Sequence, residues 1–370
     1  MINIQPRLEQ EKIEHHLNGF IKHLNKVLLH PRKNKELIFK YEFERDFYNQ
    51  LLNDENFLKD IILCNKDDLL CFENLSFYKN HKLFFLFSMH ESIRNRPPFN
   101  IDFIKEIAIL PRSFELDKIE EISSEVQDRC FKIFNYDKFS KVNKKKKADR
   151  TLWNGYNYLS GFSPKVCPYC NLDNITLLED CIATGEVYYI LRPAIDHFLA
   201  KSLYPFFSVS IYNLIPSCTS CNTSLKSDND FKSPPHMSPM GGDFNDSIEF
   251  SLKMKEPNHI FSIIDDIYNL GEINYNNIVV SIDSDDNTAT MNIETFKLNA
   301  RYNEHLITID KFLNKLPKAK INSIKTYQVM FDYNSYDEAL DSFLDYNSDE
   351  GTHCDLAFSF LKKGVLRKYL

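Results

Sequence analysis

Cys167-Pro168-Tyr169-Cys170 and Cys218-Thr219-Ser220-Cys221 bracket two further stretches, Ala194-Ile195-Asp196-His197-Phe198 and Tyr212-Asn213-Leu214-Ile215-Pro216-Ser217. Two CxxC pairs supply four thiolates, the full ligand set of a tetrahedral structural zinc. Such a staple alone would say only that a small fold is held by metal. Here it encloses an Asp-His dipeptide and Asn213, and Asn222 directly follows the last cysteine. That frame can hold a second, catalytic metal beside a general base. The 47 residues between Cys170 and Cys218 exceed ordinary finger spacing. A thioredoxin-like reading of Cys167 and Cys170 needs a βαβ context and leaves the second pair unexplained.

The order CxxC…DH…N…CxxCN…K, closed by Lys226, resembles the HNH (ββα-metal) endonucleases over residues 167–226, about one sixth of the chain. The resemblance implies a hairpin whose first strand ends at Asp196-His197, a second strand carrying Asn213, and a short helix delivering the last ligand. The sequence offers matching pieces. Val187-Tyr188-Tyr189-Ile190-Leu191 has the β-branched and aromatic content of a strand. Residues 199–208, with Pro205, read as a loop and 211–215 as the return strand. Thr219 or Ser220 can cap a helix that carries Asn222 and Lys226 four apart on one face.

By this resemblance His197 is the general base, a task that suits imidazole because its unperturbed pKa lies near ~6.5. Asp196 is a hard oxygen ligand for a divalent cation. Asn222 is the last ligand of that cation, and its amide oxygen favours Mg²⁺ or Mn²⁺ over a catalytic zinc. Asn213 holds the His197 loop or ring in register. The cation neutralises charge on the scissile phosphate and stabilises the departing 3′ oxygen. The implied activity is hydrolysis of DNA, more readily than RNA, to leave 5′-phosphate ends. Similar HNH proteins occur in bacterial anti-phage systems, including Septu-type pairs in which the HNH subunit works with an ATPase. Antiviral defence and an ATPase partner are therefore part of what the resemblance implies. The alternative is a zinc-stabilised module that binds nucleic acid or protein while its Asp-His pair is inert. His236, ten residues beyond Lys226, is either a neighbour of the same metal or a histidine in a Pro-rich loop.

At 370 residues and 43% hydrophobic, the chain can bury a large core. It reads as α+β in three stretches: mainly helical over 1–150, the zinc-stapled nuclease module over 151–243, and mixed strand and helix over 244–370. Ile13, Leu17, Phe20, Ile21, Leu24, Val27 and Leu28 repeat at helical spacing. Breaks are expected near Pro31, Pro97-Pro98 and Pro111. Ile248, Phe250, Leu252 and Met254 alternate as a strand, and residues 278–282 give another. A helix through Tyr302, Leu306, Ile309, Leu313 and Leu316 follows, and residues 356–370 read as the last one. Asp283-Ser284-Asp285-Asp286-Asn287 lacks the Gly and terminal Glu of an EF-hand and reads as a turn.

The net charge of −7 is unevenly spread: residues 138–232 hold 12 Lys/Arg and 8 Asp/Glu, a net of +4, which leaves −11 for the rest. Lys144, Lys145, Lys146 and Lys147 concentrate the positive share and are either phosphate contacts or a solvated linker. Lys226 is a further candidate for nucleic-acid contact. Trp153, Tyr156 and Tyr158 read as core rather than base-stacking residues. Cys64, Cys71, Cys130, Cys181 and Cys354 have no partner at ligand spacing and read as small apolar residues. Unpaired cysteines and the lack of a signal or anchor segment point to a cytoplasmic protein. With nine glycines and neither GxxxxGK[ST] nor GxGxxG, no nucleotide site is visible, so no small-molecule cofactor is expected beyond metals.

Overall fold

The apolar repeat beginning at Ile13 closes into a 19-residue helix, Gln10–Leu28, that turns His16, Leu17, Phe20, His23 and Leu24 inward. The computed structural model describes residues 3–29, 39–110, 114, 118–141, 147–181, 185–241, 247–255 and 278–369. Pro31, Pro111 and Lys144 to Lys146 lie outside the described residues, as does the side chain of Cys354. Glycine is required at position 19, because a Cβ there would fall 2.5 Å from the Cβ of Trp153. The indole thus packs on bare backbone, ringed by His16, Phe20, His23 and Phe139. Trp153, Tyr156 and Tyr158 all serve the interior: the first is half-buried and the two tyrosines are buried.

The apolar run at 83–87 forms the helix Lys82–Ser88. Phe84 stacks on Phe47, and Phe85 meets Phe206 edge-on at 4.8 Å. Each such pair contributes about 0.5–1.5 kcal/mol beyond its buried area. This aromatic layer carries the N-terminal helices directly onto the loop at 199–208, which contains the short turn Pro205–Phe207. Within the layer Arg129 donates two hydrogen bonds, of 2.8 and 2.7 Å, to the carboxylate of fully buried Glu44. No helix among the described residues is long and apolar enough to cross a membrane.

The strands pair as three two-stranded antiparallel sheets: β1 (Leu178–Cys181) with β2 (Val187–Leu191), β3 (Ala194–His197) with β4 (Leu214–Ser217), and β5 (Glu249–Met254) with β6 (Ile278–Asp283). The fold is therefore α+β. Residues 187–191 do form a strand, but it pairs with β1. The Asp-His pair sits instead at the end of β3, opposite β4. The return strand starts at Leu214, after a short helical turn over Ile211–Asn213.

An isolated hairpin is marginal in water, so each sheet depends on packed neighbours. On β6, Asn299 and Asn303 each clasp one strand residue: Asn299 accepts from Ile282 N at 2.6 Å and Asn303 from Val280 N at 2.9 Å, and both return a bond to the same residue's carbonyl. The side chains thereby satisfy an edge that would otherwise invite another strand. Asp286 accepts from Thr288 N and Ala289 N and caps the helix Asn287–Thr295, so the acidic stretch at 283–287 is a strand-to-helix turn. The helix expected through Tyr302 and Leu316 is divided into Leu298–Asn303, Leu306–Leu313 and the short turn Leu316–Lys318. Buried residues from Ile4 to Val365 form one continuous apolar cluster.

Two histidines bind the first helix to this core. His16 Nε2 meets the Val209 carbonyl at 2.7 Å, and its Nδ1 accepts from Trp153 at 3.3 Å. His23 Nε2 meets the Ile133 carbonyl at 3.0 Å. Burial pushes both rings down to about 4 from 6.5. Because the folded value lies below the unfolded one, the unfolded chain binds more protons at mildly acidic pH. Stability should therefore fall as pH drops from 6.5 towards 4, by about 3 kcal/mol for His16 alone. Urea unfolding at about pH 7 and about pH 5 measures this, and equal midpoints would show that the rings are not buried neutral.

Candidate functional site

Two short turns bring the four cysteines together. In the first, Cys167 N donates to Asp173 O at 2.9 Å and Ile175 N to Lys165 O at 2.8 Å, closing a tight loop. Asn171, just after Cys170, adopts a left-handed conformation with φ of +53°, which Asn tolerates better than most residues. Its buried side chain also accepts from Ser359 Oγ and Phe360 N, each at 3.1 Å, and so fastens the C-terminal helix to the cysteine loop. In the second turn, Cys218 follows β4, and Cys221 N donates to Cys218 Sγ at 3.3 Å.

All four cysteines are buried and free of disulfides, and their sulfurs lie within 4.8 Å of one another. A tetrahedral site with zinc–sulfur bonds of about 2.3 Å needs sulfurs roughly 3.8 Å apart, so a small contraction fits the ion. Hydrogen bonds from Cys167 and the other thiols, helped by the Arg301 charge, hold Cys170 well below its ordinary value. The group could therefore hold a structural metal such as zinc. Arg301 adds to it from a distant helix: Nη1 lies 3.2 Å from Cys221 Sγ, and Nη2 lies 3.5 Å from Cys170 Sγ and 2.7 Å from Asp173.

The β3–β4 hairpin leads from this cluster to a cleft of about 330 Å³ lined by Asp196, His197, Lys201, Asn222 and Lys226 among others. His197 is 7% exposed. Its Nε2 lies 2.9 Å from the Ser208 carbonyl, an acceptor, so Nε2 carries the proton and Nδ1 keeps its lone pair. Burial pushes the ring down to about 3, against the pull of that carbonyl, so it is neutral at physiological pH. The Tyr136 ring stands edge-on to it at 4.3 Å. Asn213 is fully buried: its Oδ1 accepts from Leu199 N at 2.7 Å, and its Nδ2 donates to the carbonyls of Leu199 and Phe207 at 3.1 and 2.9 Å. It thereby shapes the backbone that follows His197.

Asp196 is also buried, and both of its oxygens are engaged. Oδ2 accepts from Tyr169 at 2.6 Å, and Oδ1 lies 3.2 Å from Lys226 Nζ. Lys226, only 1% exposed, further donates to the His197 carbonyl at 2.7 Å and lies over the Phe231 ring. Its ammonium therefore organises the Asp-His pair from inside, where sequence reasoning had placed it against phosphate. Asn222 is half-buried beside the cleft, and its amide makes no hydrogen bond among the described residues. The expected α-helix after Cys218 is a π-turn, Ser220–Lys226, in which Ser227 N reaches back to Asn222 O at 3.1 Å; no side chain caps it. The wider turn still brings both residues to the cleft.

His236 stacks on Phe231 at 3.9 Å, and its nitrogens meet Pro234 O and Thr295 Oγ1 at 2.8 and 2.9 Å. It is a loop histidine with both ring atoms in use. Lys147 is exposed and pairs with Glu186 at 3.2 Å. Sequence reasoning missed Tyr169, Tyr136 and Arg301. Tyr169 was open to discovery, since it stands inside the first CxxC. Tyr136 and Arg301 lie far along the chain from their partners and belong to no motif. No protein-family model, curated protein or solved structure matches the chain.

Protein purified without added metal should contain about one zinc per chain, and Cys218→Ser should lose it together with much of the fold, because structural zinc supplies on the order of 10 kcal/mol in small fingers. Unchanged zinc and melting in that variant would remove the metal site. Arg301→Gln should retain stoichiometric zinc but release it several-fold faster to a chelator, since one charge opposing the thiolates is gone. Equal release rates would assign Arg301 to packing alone.

Proposed function

We propose that this chain is a metal-dependent endonuclease of the HNH type that hydrolyses phosphodiester bonds, with DNA preferred to RNA. The observation that carries the reading is the state of His197: a buried, neutral imidazole whose Nε2 proton is tied to Ser208 O and which lines a cleft together with Asp196 and Asn222. A general base needs a fixed ring and an open lone pair. In the proposed reaction Nδ1 takes a proton from water as that water's oxygen bonds to phosphorus, and the bond from phosphorus to the 3′ oxygen breaks. Asp196 and Asn222 are the residues that would hold Mg²⁺ or Mn²⁺, which when bound offsets phosphate charge. Asn213 and Ser208 keep the ring in place, and Lys226 holds the backbone carbonyl of His197. An antiviral setting and an ATPase partner rest on the resemblance of the CxxC…DH…N…CxxCN…K order alone.

One observation favours the second reading, a zinc-stabilised binding module without catalysis: both oxygens of Asp196 are already engaged by Tyr169 and Lys226. A carboxylate retains further lone pairs, so the two readings separate by experiment. On plasmid DNA with Mg²⁺, His197→Ala should lose cutting by about 10²–10⁴-fold while retaining affinity. Asp196→Asn should raise the Mg²⁺ needed for any residual cutting. A wild-type protein that binds DNA but leaves it intact with either cation would establish the inert module. Because His197 is held near 3, single-turnover cutting should show no loss centred near 6.5 as the medium is acidified. A fall with that midpoint would mean that the ring titrates as if exposed.

A further inference from the structure

The cleft at His197 does not end at its own rim. Tyr136 and Lys201 also line a second, open groove of about 1020 Å³, whose other walls come from the end of the helix Ile119–Ile133 and from Tyr136–Ser140. Four lysines line this groove: Lys132, Lys138, Lys141 and Lys201. Two aspartates, Asp128 and Asp137, face them, which leaves the lining positive by two charges. The positive groups are differently committed. Lys201 pairs with Asp137 at 3.1 Å, whereas the Lys138 ammonium meets the neutral ring of His23 at 2.9 Å. Lys141 is exposed and has no acid at ion-pair distance among the described residues. A protein with a net charge of −7 has no need of lysines gathered in one concavity to stay soluble. The lining is thus suited to an anionic occupant.

We propose that this groove is the bed along which the sugar-phosphate backbone of the nucleic-acid strand runs to the linkage cut at His197. The proposal rests on the nuclease reading of the adjoining cleft and extends it by naming the residues that hold the strand. Shape and charge act together here. A phosphate beside Lys141 or Lys132 stays in wide, solvent-filled space suited to a hydrated polyanion. The neighbouring stretch of strand must then pass Tyr136, where Lys201 lies 4.8 Å from the ring centre. That ring also touches His197, so the element that walls the groove is the one that orients the base. Lysines reading phosphate confer affinity and register without base preference, so the groove should accept strands of any sequence.

The experiment measures binding of the intact chain, in EDTA and at several salt concentrations, to a short DNA single strand, the matching duplex, and an RNA of the same sequence. Lys132→Ser and Lys141→Ser are combined, because both side chains are exposed and their loss should not unfold the protein. A control of equal charge change, Lys320→Ser with Lys325→Ser, lies outside the groove. The groove variant should bind on the order of tenfold more weakly, and its plot of log affinity against log salt should flatten by roughly 0.9 per lost contact on duplex, or 0.7 on single strands. The control should match wild type. Wild-type cutting in Mg²⁺ with an unchanged slope in the groove variant would overturn the groove and leave the nuclease reading intact. Weakened, flattened binding in a protein that never cuts would support the groove and overturn the catalytic reading. A wild-type chain that neither binds nor cuts overturns both.

Discussion

Four sulfur atoms within 4.8 Å of one another in a buried space form the constraint around which the rest of this molecule is arranged. As neutral thiols these side chains bury like small apolar groups, but as thiolates so close together they would repel. A cation at their centre would convert that cost into cohesion. The gathering fixes the ends of a long excursion, residues 171–217, and inside that excursion the chain makes the β3–β4 hairpin and the cleft. It also anchors elements from much later in sequence. Arg301 reaches two of the sulfurs, Tyr302 donates to the Cys170 carbonyl at 3.0 Å, and Asn171 holds Ser359 and Phe360.

The Asp196–Lys226 pair depends on this anchoring. Burying two charges is costly, and their attraction offsets the loss of hydration only when geometry is good and further hydrogen bonds satisfy the remaining sites. Tyr169 and the His197 carbonyl supply those bonds. Tyr169 stands between two of the cysteines and Lys226 ends the turn that starts beside the other two. The sulfur cluster and the Asp-His pair therefore cannot move independently: a shift in either cysteine turn would misplace a partner of Asp196.

Much of the arrangement was legible from the chain because its signals are local. The CxxC pairs, the repeat from Ile13 to Leu28, and the alternation at 248–254 each declare themselves within a few residues. The strand bearing the Asp-His pair was less accessible. Val187 to Leu191 has the better strand composition, yet Ala194-Ile195-Asp196-His197 lies opposite β4, because register across the hairpin and burial of Ile195 decide the pairing. The π-turn after Cys218 follows from no local preference. It carries a buried cysteine, Cys221, near its start and a buried lysine, Lys226, at its end. Tyr136 and Lys201 could not be foreseen at all, since nothing in their neighbourhoods marks them as sharing a wall with His197.

Trp153, the one tryptophan in the chain, sits where Gly19 leaves the first helix bare, with His16 and His23 against its indole. Protonated imidazole quenches indole emission far better than the neutral ring does. The intrinsic fluorescence of this protein is thus an optical gauge of that one corner, dimming as either histidine takes up charge and shifting to the red as the first helix undocks. The four sulfurs are not among the indole's ring neighbours, so any metal they hold would be followed by other means. An emission trace and a metal titration recorded on the same sample would therefore show whether the helical layer loosens together with the cysteine turns or before them.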